Sequence, residues 1–284
     1  MQVLKSRKAL KKYIASIKNK KKSIGFVPTM GFLHEGHLSL VRQSKKENDV
    51  TVASIFVNPL QFGPREDFRR YPRALLRDKQ FLRDAGTDAV FVPDAGEFYP
   101  SNFQTSVSVG RLSKPLCGKS RPTHFTGVST VVMKLLHLAG PDHLYLGQKD
   151  FQQCRVVEQM IGDMDIPVKV RRAPIVREKD GLAMSSRNVF LSSAERSEAV
   201  LLSRSLARAG DFILEGERDV KKIKNEVLWV LRAARHGRVD YAEIVDARTL
   251  ENVVKLKKDQ EVVIVLAVYF SKTRLIDNRI VTVT

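Results

Sequence analysis

Apolar and polar positions alternate in blocks that predict strands and helices in turn through residue 176. Short runs rich in Val, Ile and Phe are typical of strands that are covered on both faces. Longer stretches with an apolar residue every three or four positions predict amphipathic helices. The strands are predicted at SIGFVPTMG, VTVASIFVN, DAVFVPD, HLYLG and IPVKVRRAPIV. This order is the pattern of βαβ units, and it predicts an α/β fold with a Rossmann-like, doubly wound parallel sheet.

The pattern changes after Val176, where a polar loop leads into two long amphipathic helices and then into strands. Ser193 is the predicted N-cap of the first helix, with Arg196 at the position where a full capping box has Glu. The strands are predicted at VDYAEIVDA, EVVIVLAVYFSKTRLIDN and RIVTVT. We therefore predict two domains, a Rossmann-like domain over residues 1–176 and a smaller α+β domain over residues 177–284.

The N-terminal segment is strongly basic. Nine of the 49 Lys and Arg side chains lie in residues 1–22, where no Asp or Glu occurs, and the whole chain of 284 residues has a net charge of +18. Apolar residues from Leu4 to Ile17 recur at helical spacing, which predicts an amphipathic helix with a lysine-rich face. Three interpretations stay open: a solvated face, contact with nucleic acid or a membrane surface, and steering of a polyanionic small molecule. If the face is merely solvated, residues 1–12 are dispensable for turnover.

The amino-acid composition limits the binding partners and the cellular compartment that we expect for this chain. Nucleic-acid-binding patches interleave aromatic with basic residues, and only Tyr13 does so in the basic segment, so we expect no nucleic acid partner. No apolar run approaches the ~20 residues that span a bilayer, so we expect no membrane partner. The two cysteines, Cys117 and Cys154, lie far apart and form no CxxC motif. This usage is typical of a reducing compartment, and we expect a cytoplasmic protein.

The stretch PTMGFLHEGHLSL, Pro28 to Leu40, places His34 and His37 three residues apart after a predicted strand. A zinc site of the HExxH type needs the histidines at i and i+4 together with a further ligand. Core packing is a second interpretation, although the neighbouring Gly and Glu residues are typical of a loop. The third is anion binding, because the unpaired N–H groups and dipole of a helix start favour a phosphate by roughly 0.3–2 kcal/mol. The common phosphate loops, GxxxxGK[ST] and GxGxxG, are absent.

The HxGH string after this strand resembles the signature of the nucleotidylyltransferase and class I aminoacyl-tRNA synthetase superfamily. The second half of that signature, a Ser-rich basic loop, resembles MSSRN at residues 184–188. More closely, the chain resembles the pantothenate synthetase (pantoate–β-alanine ligase) family. The matching strings, collinear within residues 26–191, are PTMGFLHEGH, SIFVNPLQFGPREDFRRYPR, FYP, CGKSRPTHFTGVSTVV, LYLGQKDFQQ and PIVREKDGLAMSSRN.

The resemblance implies a reaction and its partners. Pantoate and β-alanine are condensed to pantothenate with ATP as a substrate and Mg²⁺ present, through an enzyme-bound pantoyl adenylate, with release of AMP and pyrophosphate. The partners implied are ATP, pantoate, β-alanine and a second copy of the chain in a homodimer; the ligands of Mg²⁺ are unknown. A sister nucleotidylyltransferase that stops at an adenylated product is the alternative enzyme. A basic nucleic-acid-binding protein is the alternative from another class.

The resemblance also implies roles for particular residues. His37 is the implied catalytic residue, which stabilises charge and donates a proton during adenylyl transfer. The implied ATP-binding residues are Met30, Gly31, Phe32, Leu33, His34, Glu35, Gly36, His37, Gly147, Gln148, Lys149, Asp150, Val176, Met184, Ser185, Ser186 and Arg187. The residues implied for pantoate or β-alanine are Gln61, Gln153, Met30 and Arg121, with Asn58 as a weaker candidate.

Three positions depart from the pattern of the family. Gln148 stands where Glu is usual, Thr123 where Gly is usual and Ser129 where Ala is usual. Gln148 removes a negative charge beside the implied nucleotide site, which we expect to alter phosphate or magnesium affinity modestly. None of the three carries a principal implied role.

Overall fold

The computed structural model describes residues 1–64 and 66–284. The chain divides into two compact units. The first contains Met1–Gln148 and Gln152–Pro174, and the second contains Lys149–Phe151 and Ile175–Thr284. The sequence predicted a division after residue 176. The assignment of ATP and pantoate binding to the first of these domains stays a prediction. Within the described residues, no helix has the length and apolar character needed to cross a bilayer.

The first unit is built on a six-stranded sheet in the order β1-β4-β3-β2-β5-β6. All five strand pairings are parallel. The strands are β1 (Gln2–Leu4), β2 (Ile24–Thr29), β3 (Val50–Ile55), β4 (Ala89–Phe91), β5 (His143–Gly147) and β6 (Lys169–Ala173). The predicted parallel α/β fold is confirmed, and the chain adds strands on one side of β2 before it returns to the other side at β5.

Helices cover this sheet. They are α1 (Arg7–Lys18), α2 (Glu35–Glu47), α3 (Leu75–Asp84), α4 (Ala95–Phe98), α5 (Cys117–Ser120), α6 (His124–Ala139) and α7 (Phe151–Asp163). Leu40 and Val41 of α2 and Leu82 of α3 pack on Val27 and Tyr145 of the central strands. At the end of α2, Asn48 Nδ2 donates to the Tyr145 hydroxyl at 2.7 Å. Burial raises the pKa of Tyr145 to about 12, so its hydroxyl stays protonated and anchors α2 to β5.

The N-terminal segment differs from its prediction. Leu4 is not helical; it lies in β1, which pairs with β4 at the edge of the sheet. Helix α1 begins only at Arg7, after Ser6, whose side chain accepts a hydrogen bond from the backbone N–H of Ala9 at 3.1 Å. Leu10 is fully buried. Removal of residues 1–12 would therefore delete an edge strand and core contacts, not just a solvated surface.

The second unit packs helices on a three-stranded antiparallel sheet, so the predicted smaller α+β fold is confirmed. The strands lie in the order β7-β8-β9. The elements are α8 (Ser193–Ala199), α9 (Leu201–Leu214), α10 (Val220–Leu231), β7 (Gly237–Asp246), β8 (Glu261–Phe270) and β9 (Thr273–Thr282). Leu206 of α9 and Ile223 of α10 belong to the same buried core as Ile264 of β8.

Two predicted elements of the second unit are corrected. The long helix predicted from Ser193 is two helices, α8 and α9, which meet at Val200. Its N-cap is Ser192: the Ser192 hydroxyl oxygen accepts from Glu195 N at 3.3 Å, and Glu195 Oε2 accepts from Ser192 N at 2.8 Å. The capping box is therefore complete, one residue upstream of the predicted serine.

The strand predictions near the C-terminus are also corrected. The run EVVIVLAVYFSKTRLIDN is a hairpin of β8 and β9, and RIVTVT is not a separate strand because β9 continues into it. Ser271, in the connection between the strands, has φ +49°. A residue in the left-handed region allows this tight reversal, which a continuous apolar pattern does not reveal.

Candidate functional site

The segments that the sequence analysis singled out in the first unit follow the ends of three adjacent strands. Residues 30–33 follow β2, residues 58–61 follow β3, and Gly147 ends β5. The carboxyl ends of parallel strands open on the same edge of a sheet. Since the strand order reverses between β2 and β5, the topology brings these segments to the place where open α/β sheets bind ligands.

A strained turn leads from β2 to the histidines. Gly31 has φ +82° and Phe32 has φ +51°. A Cβ atom on Gly31 would lie 2.9 Å from Ile55 Cγ2, so both the conformation and the space require glycine. Phe32 has a side chain in the left-handed region, which costs about 1–2 kcal/mol. The surroundings of the turn must offset this strain.

Asp78 of α3 holds the strained turn. Its carboxylate is almost completely buried and accepts hydrogen bonds from Phe32 N at 2.7 Å and Leu33 N at 2.8 Å. The guanidinium of Arg77 stacks on the Phe32 ring, 4.2 Å from its centroid. Neither residue was predicted from the sequence. The available signal was an acid four residues before the buried Leu82, on the apolar face of a predicted helix.

His34 and His37 form a reciprocal capping box at the start of α2. Gly36 N donates to His34 Nδ1 at 3.2 Å, and His34 N donates to His37 Nδ1 at 3.3 Å. The ring centroids lie 4.1 Å apart. A ring nitrogen that accepts an N–H bond carries no proton, so the proton of each neutral ring is on Nε2. In its neutral form, each histidine therefore carries its N–H group on the far nitrogen.

This geometry bears on the three interpretations of the histidines. Both side chains are partly exposed, unlike the core residues of β2. Among residues 1–64 and 66–284, no group of three His, Cys, Asp or Glu side chains is placed to hold a metal ion. Two Nε2–H donors at a helix N-terminus suit an anion, and they can stabilise negative charge that develops on a phosphate.

Gln61 ends a 3-10 turn, Pro59–Gln61, which is fixed by Asn58 and by the packing of helix α6. Asn58, fully buried, donates from Nδ2 to Gln61 Oε1 and to the carbonyl oxygen of Gly127, both at 3.0 Å. A Cβ atom on Gly127 would lie 2.1 Å from the Leu60 carbonyl oxygen, so glycine lets α6 pack directly on the turn. The weaker candidate Asn58 thus orients the side chain of Gln61, leaving the nitrogen of that amide as the donor to a ligand.

Arg121 pairs with a residue that the sequence analysis did not consider. Its Nε lies 3.0 Å from both carboxylate oxygens of Glu66, and its Nη2 donates to the Gln61 carbonyl oxygen at 3.2 Å. His124 Nδ1 lies 2.9 Å from the same carbonyl oxygen. The structure therefore gives Arg121 a supporting role beside Gln61, and its contact with a substrate stays a prediction.

Two adjacent glutamines of α7 have different environments. Gln152 is buried; its Oε1 accepts from Cys117 N at 3.1 Å and its Nε2 donates to the Leu112 and Pro115 carbonyl oxygens at 3.0 and 2.7 Å. Gln153 is partly exposed. Gln152 therefore fixes local structure, and the predicted role of Gln153 as a pantoate ligand stays a prediction.

In the second unit, Val176–Met184 forms a tight hairpin where the sequence predicted a polar loop. Met184 N donates to the Val176 carbonyl oxygen at 3.0 Å, and Glu178 N donates to the Leu182 carbonyl oxygen at 2.8 Å. The hairpin leads directly into Met184–Arg187. There Ser186 is buried, and the Ser185 hydroxyl accepts from Arg187 N at 3.2 Å.

Ion pairs tie this hairpin to α8. Arg196 Nη2 lies 2.6 Å from Glu178 Oε2, and Nη1 lies 2.7 Å from Asp180 Oδ2. The hydrogen bond from Arg196 holds the pKa of Asp180 below its ordinary value. The other oxygen of Glu178 accepts from Asn188 Nδ2 at 2.8 Å. Arg196, which stands where a capping box from Ser193 would have Glu, fixes the hairpin that carries the Ser-rich loop.

Lys149 belongs to the second unit although it lies far from that unit in sequence. It is the central residue of a 3-10 turn, Gln148–Asp150, after β5. Within the second unit, a small recess is lined by Lys149, Ser185, Asn188, Asp277 and neighbouring apolar side chains. Two of the predicted nucleotide-binding segments, represented by Lys149 and Ser185, therefore meet at one recess.

The chain is similar to known proteins over its whole length. A profile of the family described as pantoate-beta-alanine ligase matches residues 2–280. The chain is 51% identical over 280 residues to the pantothenate synthetase of Thermotoga neapolitana, covering 99% of both chains. It is 51% identical over 283 residues to that of Acetivibrio thermocellus, covering 100% of both.

Solved structures agree with this similarity. The crystal structure of pantothenate synthetase from Thermus thermophilus matches with a TM-score of 0.93 and 42% identity, covering 98% of this chain and 99% of that one. A pantoate-beta-alanine ligase from Francisella tularensis, complexed with beta-gamma ATP and beta-alanine, matches with a TM-score of 0.81 and 35% identity. That match covers 98% of this chain and 97% of the other.

Proposed function

The chain belongs to the pantoate–β-alanine ligase family, and from this premise we propose that it joins pantoate to β-alanine through a pantoyl adenylate. It is a ligase of pantothenate biosynthesis. In the first step, a carboxylate oxygen of pantoate attacks the α-phosphorus of ATP, and pyrophosphate leaves. In the second, the amine of β-alanine attacks the carbonyl carbon of the adenylate, loses a proton and displaces AMP.

The capping box of His34 and His37 is the observation that carries this proposal. Negative charge grows on the phosphates while pyrophosphate leaves, and an N–H donor placed there beforehand lowers the barrier. Both Nδ1 atoms accept backbone N–H bonds, so both Nε2–H groups are oriented before ATP arrives. His37 is the proposed catalytic residue, and His34 is the proposed nucleotide contact beside it.

Other residues supply binding and orientation. Gln61, oriented by Asn58, and Gln153 bind pantoate, with Met30 against its methyl groups and Arg121 beside Gln61. Gln61 later contacts β-alanine. The proposed nucleotide contacts are Gly31 to Gly36, Gly147 to Asp150, Val176 and Met184 to Arg187. The Francisella tularensis relative, complexed with beta-gamma ATP and beta-alanine, supports ATP as the substrate.

Magnesium enters this proposal with the nucleotide. Mg²⁺ is usually held by one or two carboxylates together with substrate phosphates, not by a cage of protein ligands. Glu35 and Asp150 are the carboxylates of the proposed nucleotide segments, and the metal would neutralise phosphate charge. A homodimer and a cytoplasmic location stay predictions.

A three-substrate assay tests the reaction. AMP and pyrophosphate should accumulate over many turnovers only when ATP, pantoate and β-alanine are all present. His37→Ala should lower the single-turnover rate of pantoyl adenylate formation about a hundredfold or more, since one oriented donor to developing charge contributes that much. His137→Ala, an exposed histidine of α6, is the matched control and should leave the rate unchanged.

Three results would contradict the proposal. Release of ADP would mean phosphoryl transfer in place of adenylyl transfer. Accumulation of an adenylated acid that β-alanine does not consume would favour a sister nucleotidylyltransferase. An unchanged single-turnover rate in folded His37→Ala would remove His37 from the chemistry.

A further inference from the structure

Two adjacent polar residues of β9 are buried in the second unit. Asp277 and Asn278 are 2% and 3% exposed. Because successive side chains of a strand point to opposite faces, Asp277 and Asn278 contact different parts of the second unit. A buried carboxylate and a buried amide each require hydrogen-bond partners to offset desolvation. Their partners show what this part of β9 does.

Asp277 holds the hairpin that carries the Ser-rich loop. Its Oδ2 accepts from Arg177 Nη1 at 2.7 Å, and its Oδ1 accepts from Arg177 Nη2 at 3.0 Å. This is the bidentate geometry in which a guanidinium and a carboxylate bind most strongly. Arg177 also donates to the Gly181 carbonyl oxygen at 3.1 Å, which closes the tip of the hairpin. Strand β9 thereby fixes the segment that leads into Met184–Arg187.

Asn278 holds the second proposed nucleotide-binding segment, the one that contains Lys149. Its Nδ2 donates to the main-chain carbonyl oxygen of Lys149 at 3.0 Å, across 129 positions of sequence. Its own backbone N–H donates to Asp277 Oδ1 at 2.8 Å, which couples the two residues. Since Lys149 and Ser185 line the same recess with Asp277, this strand contacts both segments at one place.

We propose that Asp277 and Asn278 are positioning residues for the nucleotide: they set Lys149 and the Met184–Arg187 loop in one fixed arrangement. The proposal rests on the proposed function, in which both segments bind ATP. Neither residue needs to touch ATP. Asn278 acts on the main chain of Lys149, and Asp277 acts through Arg177. The pantoate residues Gln61 and Gln153 belong to the first unit, so the loss should fall on ATP and not on pantoate.

The test is ATP affinity, measured by isothermal titration calorimetry with a non-hydrolysable ATP analogue on the full chain. Asn278→Ala removes the bond to Lys149 and should raise the Kd roughly threefold to tenfold, the value of one lost hydrogen bond. Asp277→Asn keeps the shape and halves the carboxylate pairing, and it should raise the Kd by at least as much. In steady state the KM for ATP should rise, while the KM for pantoate should change less than twofold.

The matched control is Asp240→Asn. Asp240 pairs with Arg274 at 2.8 Å in the same three-stranded sheet, so the substitution removes a comparable ion pair away from the recess. It should lower the melting temperature without moving the Kd for ATP. If Asn278→Ala does not fold, Asn278→Ser keeps a small polar group in the buried site, yet its shorter side chain does not reach Lys149.

The outcomes separate the inference from the function. Wild-type chain that binds no ATP analogue would overturn both. Wild-type binding together with an unchanged Kd in folded Asn278 and Asp277 variants would overturn only the positioning role. Equal rises of KM for ATP and pantoate would also overturn it, because they would indicate a general loss of structure.

Discussion

The rings of His34 and His37 combine two roles that are usually separate. His34 Nδ1 accepts from Gly36 N in the first turn of α2, as an N-cap side chain does, and His37 Nδ1 accepts from the backbone N–H of His34 itself. In the neutral ring the N–H group is on Nε2, and we propose that it donates to a phosphate oxygen of ATP. A histidine therefore serves at this helix start where Ser or Asp would cap equally well but could not offer an N–H group.

Substitution of His34 separates the two roles. His34→Ala should destabilise the first unit by about 0.5–2 kcal/mol, because the N-cap is lost. His34→Asn should retain most of that stability, since Asn is among the best N-cap residues, but should still weaken ATP binding. Thermal unfolding and calorimetry with the ATP analogue measure the two effects. Full ATP affinity in His34→Asn would show that His34 only caps the helix.

At the residue scale, the sequence identifies candidate site residues but not the residues that hold them in place. His37, Gln61 and Gln153 belong to strings that could be matched without coordinates. Asp78 could not be found in this way, because its role depends on the left-handed backbone at Phe32, with which it pairs across 46 positions. A strained turn leaves no simple pattern of residue types, so the residue that stabilises it is visible only in the structure.

At the scale of elements, the sequence-based prediction for α8 placed the N-cap one residue too late, at Ser193 in place of Ser192. The string LSSAERSEA contains two adjacent serines, and only Ser192 has a Glu three positions later. The complete box is reinforced from the sheet, because the Ser271 hydroxyl donates to Glu195 Oε1 at 2.5 Å. The capping box therefore also ties the start of α8 to the β8–β9 connection.

This arrangement predicts a pH dependence. The Ser271 hydroxyl and the Ser192 N–H hold the pKa of Glu195 below its ordinary value of 4.5. A lowered pKa in the folded state means that the stabilisation is complete above about pH 4.5 and is lost as the pH falls through the folded value. Wild-type chain should therefore lose more free energy of unfolding than Glu195→Gln between roughly pH 5 and pH 3.

Far-UV circular dichroism at a series of pH values measures unfolding of the second unit, because its single tryptophan, Trp229, is already exposed and would report unfolding weakly. Glu251→Gln changes an exposed glutamate of the same unit and serves as the control, which should follow the wild-type pH curve. Parallel curves for wild type and Glu195→Gln would contradict the assigned role of Glu195.

At the scale of the whole molecule, the proposed function does not explain why the N-terminal segment is so basic. The lysines of α1 are exposed, whereas Leu10 and Ile14 of the same helix are buried. At an ionic strength near 0.15 M the screening length is about 8 Å, so exposed charges act only over short distances. We interpret the lysine face as solvated surface on a helix that the core requires.

Replacement of Lys8, Lys11 and Lys12 by Gln tests this interpretation. We expect kcat/KM for ATP to change less than about twofold at both low and physiological ionic strength. Leu10→Ala, on the buried face of the same helix, should instead lower stability by about 2–5 kcal/mol. A loss of kcat/KM that appears at low salt and disappears at high salt would show that the lysines steer ATP.

The sequence by itself determined the fold class, the family and the set of residues proposed for ATP, pantoate and β-alanine. It could do so because βαβ periodicity and collinear motifs are local properties of the chain. Only the tertiary structure showed that Leu4 forms an edge strand, that Asp78 holds the turn before His34, and that β9 contacts Lys149. These facts depend on partners separated by tens to more than a hundred residues, whose buried polar groups must find each other when the chain packs.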